Sequence, residues 1–222
     1  PAPYVNTWFL VRAMRRMRDM AGILGKTYPP ALEEAMQTAS DAMVRAYYNP
    51  QLNSFCEGVQ GADAFAMDIG LGNPEMLAAM VRRYEANPVF DTGIFGTEIL
   101  LRALCESGHA QTAIRLLTGT GYPSFGHMME SGATTFWEDW HGRSSHNHPM
   151  FGACVKLLFT EILGIRQKAD TAGFAEVEIA PCYVEGLDWV EGSLLTESGR
   201  ISVRWEREGH TVKVSATKMY NG

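Results

Sequence analysis

The residues best suited to chemistry lie in one short stretch, 132–140, where Glu138 follows Trp137 and precedes Trp140 by two positions. An indole beside a carboxyl group can exclude water from it and so raise its pKa towards values useful for proton transfer. Indoles also stack on flat apolar faces, including those of sugar rings. A carboxylate between two aromatic plates therefore favours a sugar-binding catalytic pocket over a stretch of hydrophobic core.

The role of Glu138 depends on a second acid, because glycoside hydrolysis uses two carboxyl groups, one as acid and one as base or nucleophile. Asp139 is too close in sequence to be the opposed partner, so we expect it to point away or to orient a neighbour. The alternative for Glu138 is structural, because most glutamates form salt bridges or lie in the first turn of a helix.

Three histidines follow, at positions 141, 146 and 148, and Pro149 comes next. Proline is suited to the first position of a helix, so we expect His148 to be a hydrogen-bonding residue at a helix N-terminus that points into the pocket. A histidine satisfied within the structure is the alternative. The H-x4-H-x-H spacing matches no standard zinc pattern and no cysteine is near, so we expect no metal site.

The composition limits the class of partner. The 222 residues carry a net charge of -6, the wrong sign for a nucleic-acid or anionic-membrane partner. No apolar run approaches the roughly 20 residues of a membrane helix. We interpret the basic cluster Arg12, Arg15, Arg16 and Arg18 as a solvated helix face.

Four cysteines without a CxxC pair are expected to be buried free thiols, and the cellular compartment cannot be deduced from them. Because the chain begins Pro-Ala-Pro-Tyr, we expect it to be a piece of a longer protein.

Most of the first 165 residues predict helices joined by short loops, from apolar positions spaced three or four apart and from Pro and Gly at the ends. The predicted helices cover about 6–24, 30–48, 61–70, 74–86, 97–106, 110–118 and 149–163. Consecutive helices paired in this way are typical of a bundle, a solenoid or an α/α barrel. Two longer loops, 87–96 and 119–148, are the ones expected to carry function.

After Gly173 apolar and polar residues alternate, which predicts half-buried strands with a hairpin turn at Glu208-Gly209. A β unit of this size is hard to stabilise alone, so either it packs on the helices or its partner strands are missing. We therefore predict two units, a helical one at 1–170 and a β one at 171–222.

Four motifs, in this order and spacing, carry a family resemblance. They are DTGIFGT at 91–97, GYPSFG at 121–126, GATTFWEDW at 132–140 and SHNHPMFG at 145–152. Together they resemble the bacterial α-L-rhamnosidases of glycoside hydrolase family 78. The resemblance implies a mainly α fold, part of an (α/α)6 barrel of antiparallel helix pairs, followed by an incomplete antiparallel β-sandwich.

The resemblance also implies an inverting enzyme that releases terminal α-L-rhamnose from glycosides or polysaccharides, without a metal or an organic cofactor. Glu138 would be the general base, His148 would bind the sugar, and Trp137 and Trp140 would wall the pocket. The family's general acid belongs to an upstream motif that these 222 residues lack, so the chain alone is expected to be inactive.

Two rival interpretations remain open. The chain could be a non-catalytic carbohydrate-binding fragment, which the missing acid favours, or a helical-repeat interaction fragment, which the paired helices alone would fit. Part of a barrel should also leave apolar helix faces exposed, so we expect self-association or low stability.

Overall fold

Proline and capping residues set the helix starts in the computed structural model, which describes residues 2–220. Pro30 opens the second helix and Pro74 the fourth, where the Asn73 side chain accepts a hydrogen bond from the N–H of Met76 at 2.8 Å. The α-helices are α1 Ala2–Ile23, α2 Pro30–Tyr47, α3 Gln60–Asp68, α4 Pro74–Ala86, α5 Gly96–Glu106, α6 Ala110–Thr118 and α7 Phe125–Glu130. The first six agree with the predicted helices to within about four residues.

Two helical features differ from the sequence-based expectation. The six-residue α7 lies inside the predicted loop 119–148 and is capped by Ser124, whose hydroxyl accepts from the N–H of His127 at 3.0 Å. The predicted helix at 149–163 is present but irregular, with a 3-10 turn over Pro149–Cys154, an α turn over Val155–Leu157 and a π turn over Leu158–Ile162. We name this segment, 149–162, the terminal helix.

The helices form two layers. In the inner layer α1 contacts α3, α3 contacts α5, and α5 contacts the start of the terminal helix. In the outer layer α2 covers α1, while α4 and α6 contact each other and back α3 and α5. Residues of α3 and α5 are therefore mostly buried, and the alternation of inner and outer helices is that of a partial (α/α)6 barrel.

The inner helices begin at a common end. One cavity is lined by Tyr4 of α1, Ala62 of α3 and Gly96 of α5, all of which lie in the first turns of their helices. The loop that precedes α5 lines the same cavity through residues 91–95. This end of the array, which we name the N-terminal end of the inner layer, is where the long loops meet.

The strands are all antiparallel. β1 Tyr48–Asn49 pairs with β2 Ser54–Phe55, β3 Ile165–Gln167 with β4 Val177–Ile179, and β5 Trp189–Thr196, β6 Gly199–Glu208 and β7 Thr211–Met219 form one sheet in that order. The turn between β6 and β7 lies at the predicted Glu208-Gly209 hairpin. β3 precedes residue 171, so the β3–β4 hairpin begins within the predicted helical unit; the division at 170 stays a prediction.

The β strands pack on the helices and on one another. Trp205 of β6 is fully buried, and its indole N–H donates to the carbonyl of Ile162 at 2.8 Å, at the end of the terminal helix. A small second core joins the β3–β4 hairpin to the three-stranded sheet through Ile165, Ile201 and Val203. The result is a two-layered, incomplete sandwich that is stabilised by the helical unit.

Two features bear on the composition arguments. The four cysteines are all free, with Cys105 and Cys154 buried, and burial raises the pKa of the Cys105 thiol to about 12. Among the described residues no helix has both the length and the apolar character to cross a membrane.

The first and the last helix of the inner layer, α1 and the terminal helix, expose apolar side chains. On α1 these side chains are Phe9, Leu10, Met17, Met20 and Ile23, and on the terminal helix they are Met150, Val155 and Leu158. We name these two surfaces the α1 edge and the terminal edge. Clusters of exposed apolar residues of this kind mark surfaces that normally contact other protein.

The α1 edge leads to a prediction about association. The 222-residue chain should self-associate, and the double substitution Leu10→Gln and Met17→Gln should weaken association by about tenfold or more, because removing two apolar side chains from an interface costs at least ~1.4 kcal/mol. Sedimentation equilibrium measures this change. Leu52→Gln, at an equally exposed leucine outside both edges, should leave association unchanged. A monomeric parent chain at high concentration would contradict the prediction.

Candidate active site

A backbone ladder within the loop 131–148 brings Glu138 and His148 together. The Glu138 N–H donates to the carbonyl of Ser145 and the His148 N–H donates to the carbonyl of Phe136, each at 2.8 Å. The Thr135 hydroxyl also donates to the carbonyl of His146. Two antiparallel segments, 135–138 and 145–148, are thus held side by side without forming a regular strand pair.

The Glu138 side chain is fixed by the same ladder. One carboxylate oxygen, Oε2, accepts the Ser145 N–H at 3.2 Å, so Ser145 contacts Glu138 through both its N–H and its carbonyl. The side chain is half-buried, and within residues 2–220 no donor reaches the other oxygen, Oε1. The Ser145 N–H therefore fixes the orientation of the carboxylate through one oxygen, and the second oxygen is not engaged by any donor among residues 2–220.

His148 lies at the N-terminus of the terminal helix, at the position that Pro149 indicates. It is half-buried, and its ring nitrogen Nδ1 is buried without a hydrogen-bond partner among the described residues. A buried polar atom without a partner carries a desolvation cost, which a hydrogen bond to a ligand would offset. The orphan nitrogen is therefore consistent with a side chain that binds a ligand.

Trp137 supports the loop by packing against its turn. Its indole is 8% exposed and stacks on the His146 imidazole, with ring centroids 4.6 Å apart and planes inclined by 18°. The His146 Nε2 lies 2.8 Å from the carbonyl of Gly142, which closes the turn between the two ladder segments. Gly142 has φ 64°, and a Cβ placed there would lie 2.6 Å from the Trp137 ring.

Trp140 anchors the loop to the helical core. It is 8% exposed, its N–H donates to the carbonyl of Thr92 at 2.6 Å, and its ring stacks on Phe90 at 5.2 Å with nearly parallel planes. Phe125 and Phe151 pack on it as well. Because Thr92 belongs to the loop at the N-terminal end of the inner layer, this contact places the site loop at that same end.

Asp139 turns the chain rather than facing Glu138. Its Oδ1 accepts the His141 N–H at 2.8 Å and the Arg143 N–H at 3.4 Å. The hydrogen bond from the Ser144 side chain, aided by those two N–H groups, holds the pKa of Asp139 below its usual value. The His141 Nε2 in turn lies 2.6 Å from the Tyr122 hydroxyl, which ties this turn to the loop before α7.

The structure thus gathers Glu138, Trp137 and His148 around one ladder and seats Trp140 in the adjoining core. The sequence did not assign the supporting roles of three residues: Ser145, which holds the carboxylate, and Phe90 and Thr92, which hold Trp140. The signals for them were that all three fall in the two loops predicted to carry function and that Thr92 and Ser145 belong to two of the four family motifs. His141 and His146 hydrogen-bond to protein groups, and within residues 2–220 no three potential ligands are grouped to hold a metal ion.

Comparison with known proteins gives two family matches. Residues 1–162 match the bacterial alpha-L-rhamnosidase 6 hairpin glycosidase domain, and residues 164–217 match the bacterial alpha-L-rhamnosidase C-terminal domain. The first match covers well over half of the chain and includes the whole site loop.

Individual relatives agree with these matches. An alpha-L-rhamnosidase of Alteromonas sp. (strain LOR) is 28% identical over 98% of this chain and 25% of its own length. One of Formosa agariphila is 26% identical over 94% of this chain and 24% of its own length. The chain therefore spans about a quarter of the curated relatives that it matches.

Solved structures share the fold. The Streptomyces avermitilis alpha-L-rhamnosidase complexed with L-rhamnose superposes with a TM-score of 0.85 at 24% identity, over 96% of this chain and 22% of that one. The alpha-L-rhamnosidase from Dictyoglumus thermophilum gives 0.84 at 22% identity, over 95% of this chain and 25% of that one.

The contact between Gly142 and Trp137 leads to a stability prediction. Gly142→Ala should lower the free energy of unfolding by about 2–4 kcal/mol, the sum of the left-handed backbone cost and an overpacking cost. Gly132→Ala is the matched control, because Gly132 has φ 91° in the same loop and a Cβ added there would meet nothing within 4 Å. The control should lose about 1–2 kcal/mol. Equal losses in denaturant unfolding would show that the contact with Trp137 contributes nothing.

Proposed function

Because the chain belongs to the bacterial α-L-rhamnosidase family, we propose that it forms part of an inverting glycoside hydrolase that releases terminal α-L-rhamnose from glycosides or polysaccharides. The observation that carries this proposal is the Glu138 carboxylate, which the Ser145 N–H holds at one oxygen while no donor among the described residues reaches the other. It lies in a loop at the end of a two-layered helical array, where the inner helices begin.

In this proposal Glu138 is the general base. Its free oxygen takes a proton from a water molecule as the water oxygen attacks the anomeric carbon of rhamnose. The bond from that carbon to the leaving-group oxygen breaks on the opposite face, and a general acid gives that oxygen a proton. The attack inverts the configuration, so the first product of α-L-rhamnoside hydrolysis is β-L-rhamnose.

The general acid is proposed to come from outside these 222 residues. Asp139 is engaged in its own turn and does not oppose Glu138. Since the chain spans about a quarter of its relatives, the longer protein has ample sequence to supply a second carboxyl group and to cover the α1 and terminal edges.

His148 and the two tryptophans complete the proposed site. His148, with its unpartnered Nδ1, hydrogen-bonds rhamnose hydroxyls. Both indoles are largely covered by His146, Phe90 and their neighbours. Trp137 and Trp140 therefore support the pocket wall mainly by setting the path of the loop. No step in this mechanism requires a metal or an organic cofactor.

A second candidate function is non-catalytic carbohydrate binding. The observation that favours it is that Glu138 has no opposed carboxyl group in the site loop. Binding of a sugar would use the same His148 and loop geometry, so the two functions differ only in turnover.

The role of Glu138 predicts a loss of rate. In the longer protein that contains this chain, Glu138→Gln should lower kcat on an aryl α-L-rhamnoside by about 10² or more, the scale of general-base catalysis, because the amide cannot accept the proton of water. KM should change little. Glu130→Gln removes an exposed carboxylate at the end of α7 and should retain the parent rate. Near-normal turnover by Glu138→Gln would remove Glu138 from the mechanism, and α-L-rhamnose as the first product in a proton NMR time course would exclude inversion.

The source of the acid predicts the behaviour of the chain alone. The 222-residue chain should not hydrolyse an aryl α-L-rhamnoside above the uncatalysed rate, because protonation of the leaving group needs a carboxyl group that it does not supply. A spectrophotometric assay with the longer protein as positive control tests this expectation. Robust turnover by the chain alone would place the acid within it.

A further inference from the structure

We propose that the cavity beside Asp91 is an additional carbohydrate subsite, in which the Asp91 carboxylate accepts hydrogen bonds from the hydroxyl groups of a sugar ring. The inference rests on the proposed function and extends it to residues that the Glu138 mechanism does not use. Asp91 belongs to one of the four motifs that carry the family resemblance, but the sequence alone assigns no role to this aspartate.

The cavity lies at the N-terminal end of the inner layer and has a volume of about 240 Å³. Its wall is built from the first turns of three helices and from the loop before α5. Ligand pockets for drug-sized molecules begin at about 300 Å³, so this cavity suits a smaller ligand such as one pyranose ring.

Asp91 is the carboxylate in this wall, and its orientation is fixed. Its Oδ1 accepts the Tyr84 hydroxyl at 2.5 Å and its Oδ2 accepts the Gly61 N–H at 3.2 Å. Tyr84 is fully buried, and burial together with the Asp91 charge raises the pKa of the phenol, so Tyr84 stays protonated and keeps donating. Asp91 itself is exposed. Since a carboxylate offers about four acceptor positions and two are used, about two remain for hydroxyl donors.

The backbone beside Asp91 is rigid. Thr92 is buried, its hydroxyl bonds the Thr97 hydroxyl at 2.9 Å, and its methyl group fits between Gly61 and Gly96. A Cβ at Gly61 would overlap the Thr92 methyl, and one at Gly96 would lie 3.0 Å from the Thr92 Cβ. A recognition group on so constrained a backbone is pre-organised, which lowers the entropic cost of binding.

The rest of the cavity wall is mostly apolar. Phe65, Phe95 and Val5 line it, and Phe95 is 45% exposed. Sugar rings combine C–H faces with hydroxyl edges, so an aromatic wall next to a fixed carboxylate is chemically matched to them. A purely structural aspartate would not require an open apolar wall beside it.

The cavity is coupled to the proposed catalytic loop through one residue. The Thr92 carbonyl accepts the Trp140 indole N–H at 2.6 Å, and Trp140 follows Glu138 by two positions. Asp91, which directly precedes Thr92, and the Glu138 loop are thus both tied to the same residue, at the same end of the helical array.

The test uses the longer protein that contains this chain, with an aryl α-L-rhamnoside and a rhamnosyl disaccharide as substrates. Asp91→Asn should raise KM for the disaccharide by roughly tenfold or more, the effect of losing hydrogen bonds to a charged acceptor, and should change kcat much less. A rise for the disaccharide alone places the second sugar in the cavity, and an equal rise for both substrates would show that Asp91 acts on the rhamnose site and would overturn the additional subsite. Phe95→Ala, at an exposed wall residue, should raise the same KM.

Glu98→Gln is the control, because Glu98 is a half-buried carboxylate on α5 that pairs with Arg102 and lies outside the cavity wall. It should leave both KM values at the parent level. If Asp91→Asn and Phe95→Ala change only the melting temperature, the cavity is structural or is filled by protein, and the inference is overturned. That outcome is distinct from failure of the proposed function, in which the parent protein would hydrolyse neither substrate.

Discussion

Thr92 is the point on which the arrangement of the candidate site depends. Its methyl group fits where Gly61 and Gly96 carry no side chain, its hydroxyl bonds Thr97, and its carbonyl accepts the Trp140 N–H at 2.6 Å. Thr92 therefore links the close approach of α3 and α5 to the position of the candidate site loop. A larger side chain at either glycine would separate the two helices and carry the Trp140 acceptor away from its donor.

The energetic weight of this contact comes from burial. Trp140 is 8% exposed, so losing its acceptor would leave a buried indole N–H unpaired at a cost of about 1–3 kcal/mol. That cost opposes movement of the whole loop, because the Ser145 backbone then fixes Glu138 and the Phe136 carbonyl fixes the His148 backbone. The loop has little regular secondary structure and is ordered instead by these tertiary hydrogen bonds, which is how a rigid scaffold presents functional groups on loops.

Periodicity and capping chemistry made much of this structure predictable. Helices α1 to α6 follow from apolar spacing and from proline and asparagine at their starts, and the alternation in β5 and β6 follows from their half-buried faces. The alternation in β7 predicted a half-buried strand as well, but β7 is exposed along most of its length because it is the last strand of the three-stranded sheet. The short α7 escaped prediction because six residues hold too few periods to reveal a pattern. The π turn in the terminal helix was not predicted either. Its hydrogen bond, from the Leu163 N–H to the Leu158 carbonyl, lies where the helix packs against β6, and no local sequence signal indicates it.

The candidate site shows the same division between local and tertiary information. Glu138 and His148 could be predicted as candidates because their residue types and neighbours are unusual within a few positions of sequence. Asp91, Tyr84 and Thr92 acquire their meaning only when α3, α4 and α5 bring separate segments into contact, and no local pattern encodes that contact.

Inverting hydrolysis needs its two carboxyl groups about 6.5–9.5 Å apart, with room for a water molecule between sugar and base. In the proposed enzyme the chain holds the base, Glu138, and the opposing acid would reach that spacing when further helices close against the α1 and terminal edges. In the proposed enzyme, therefore, packing at two apolar surfaces sets a distance in the active site, and substitutions there would alter rate without touching substrate.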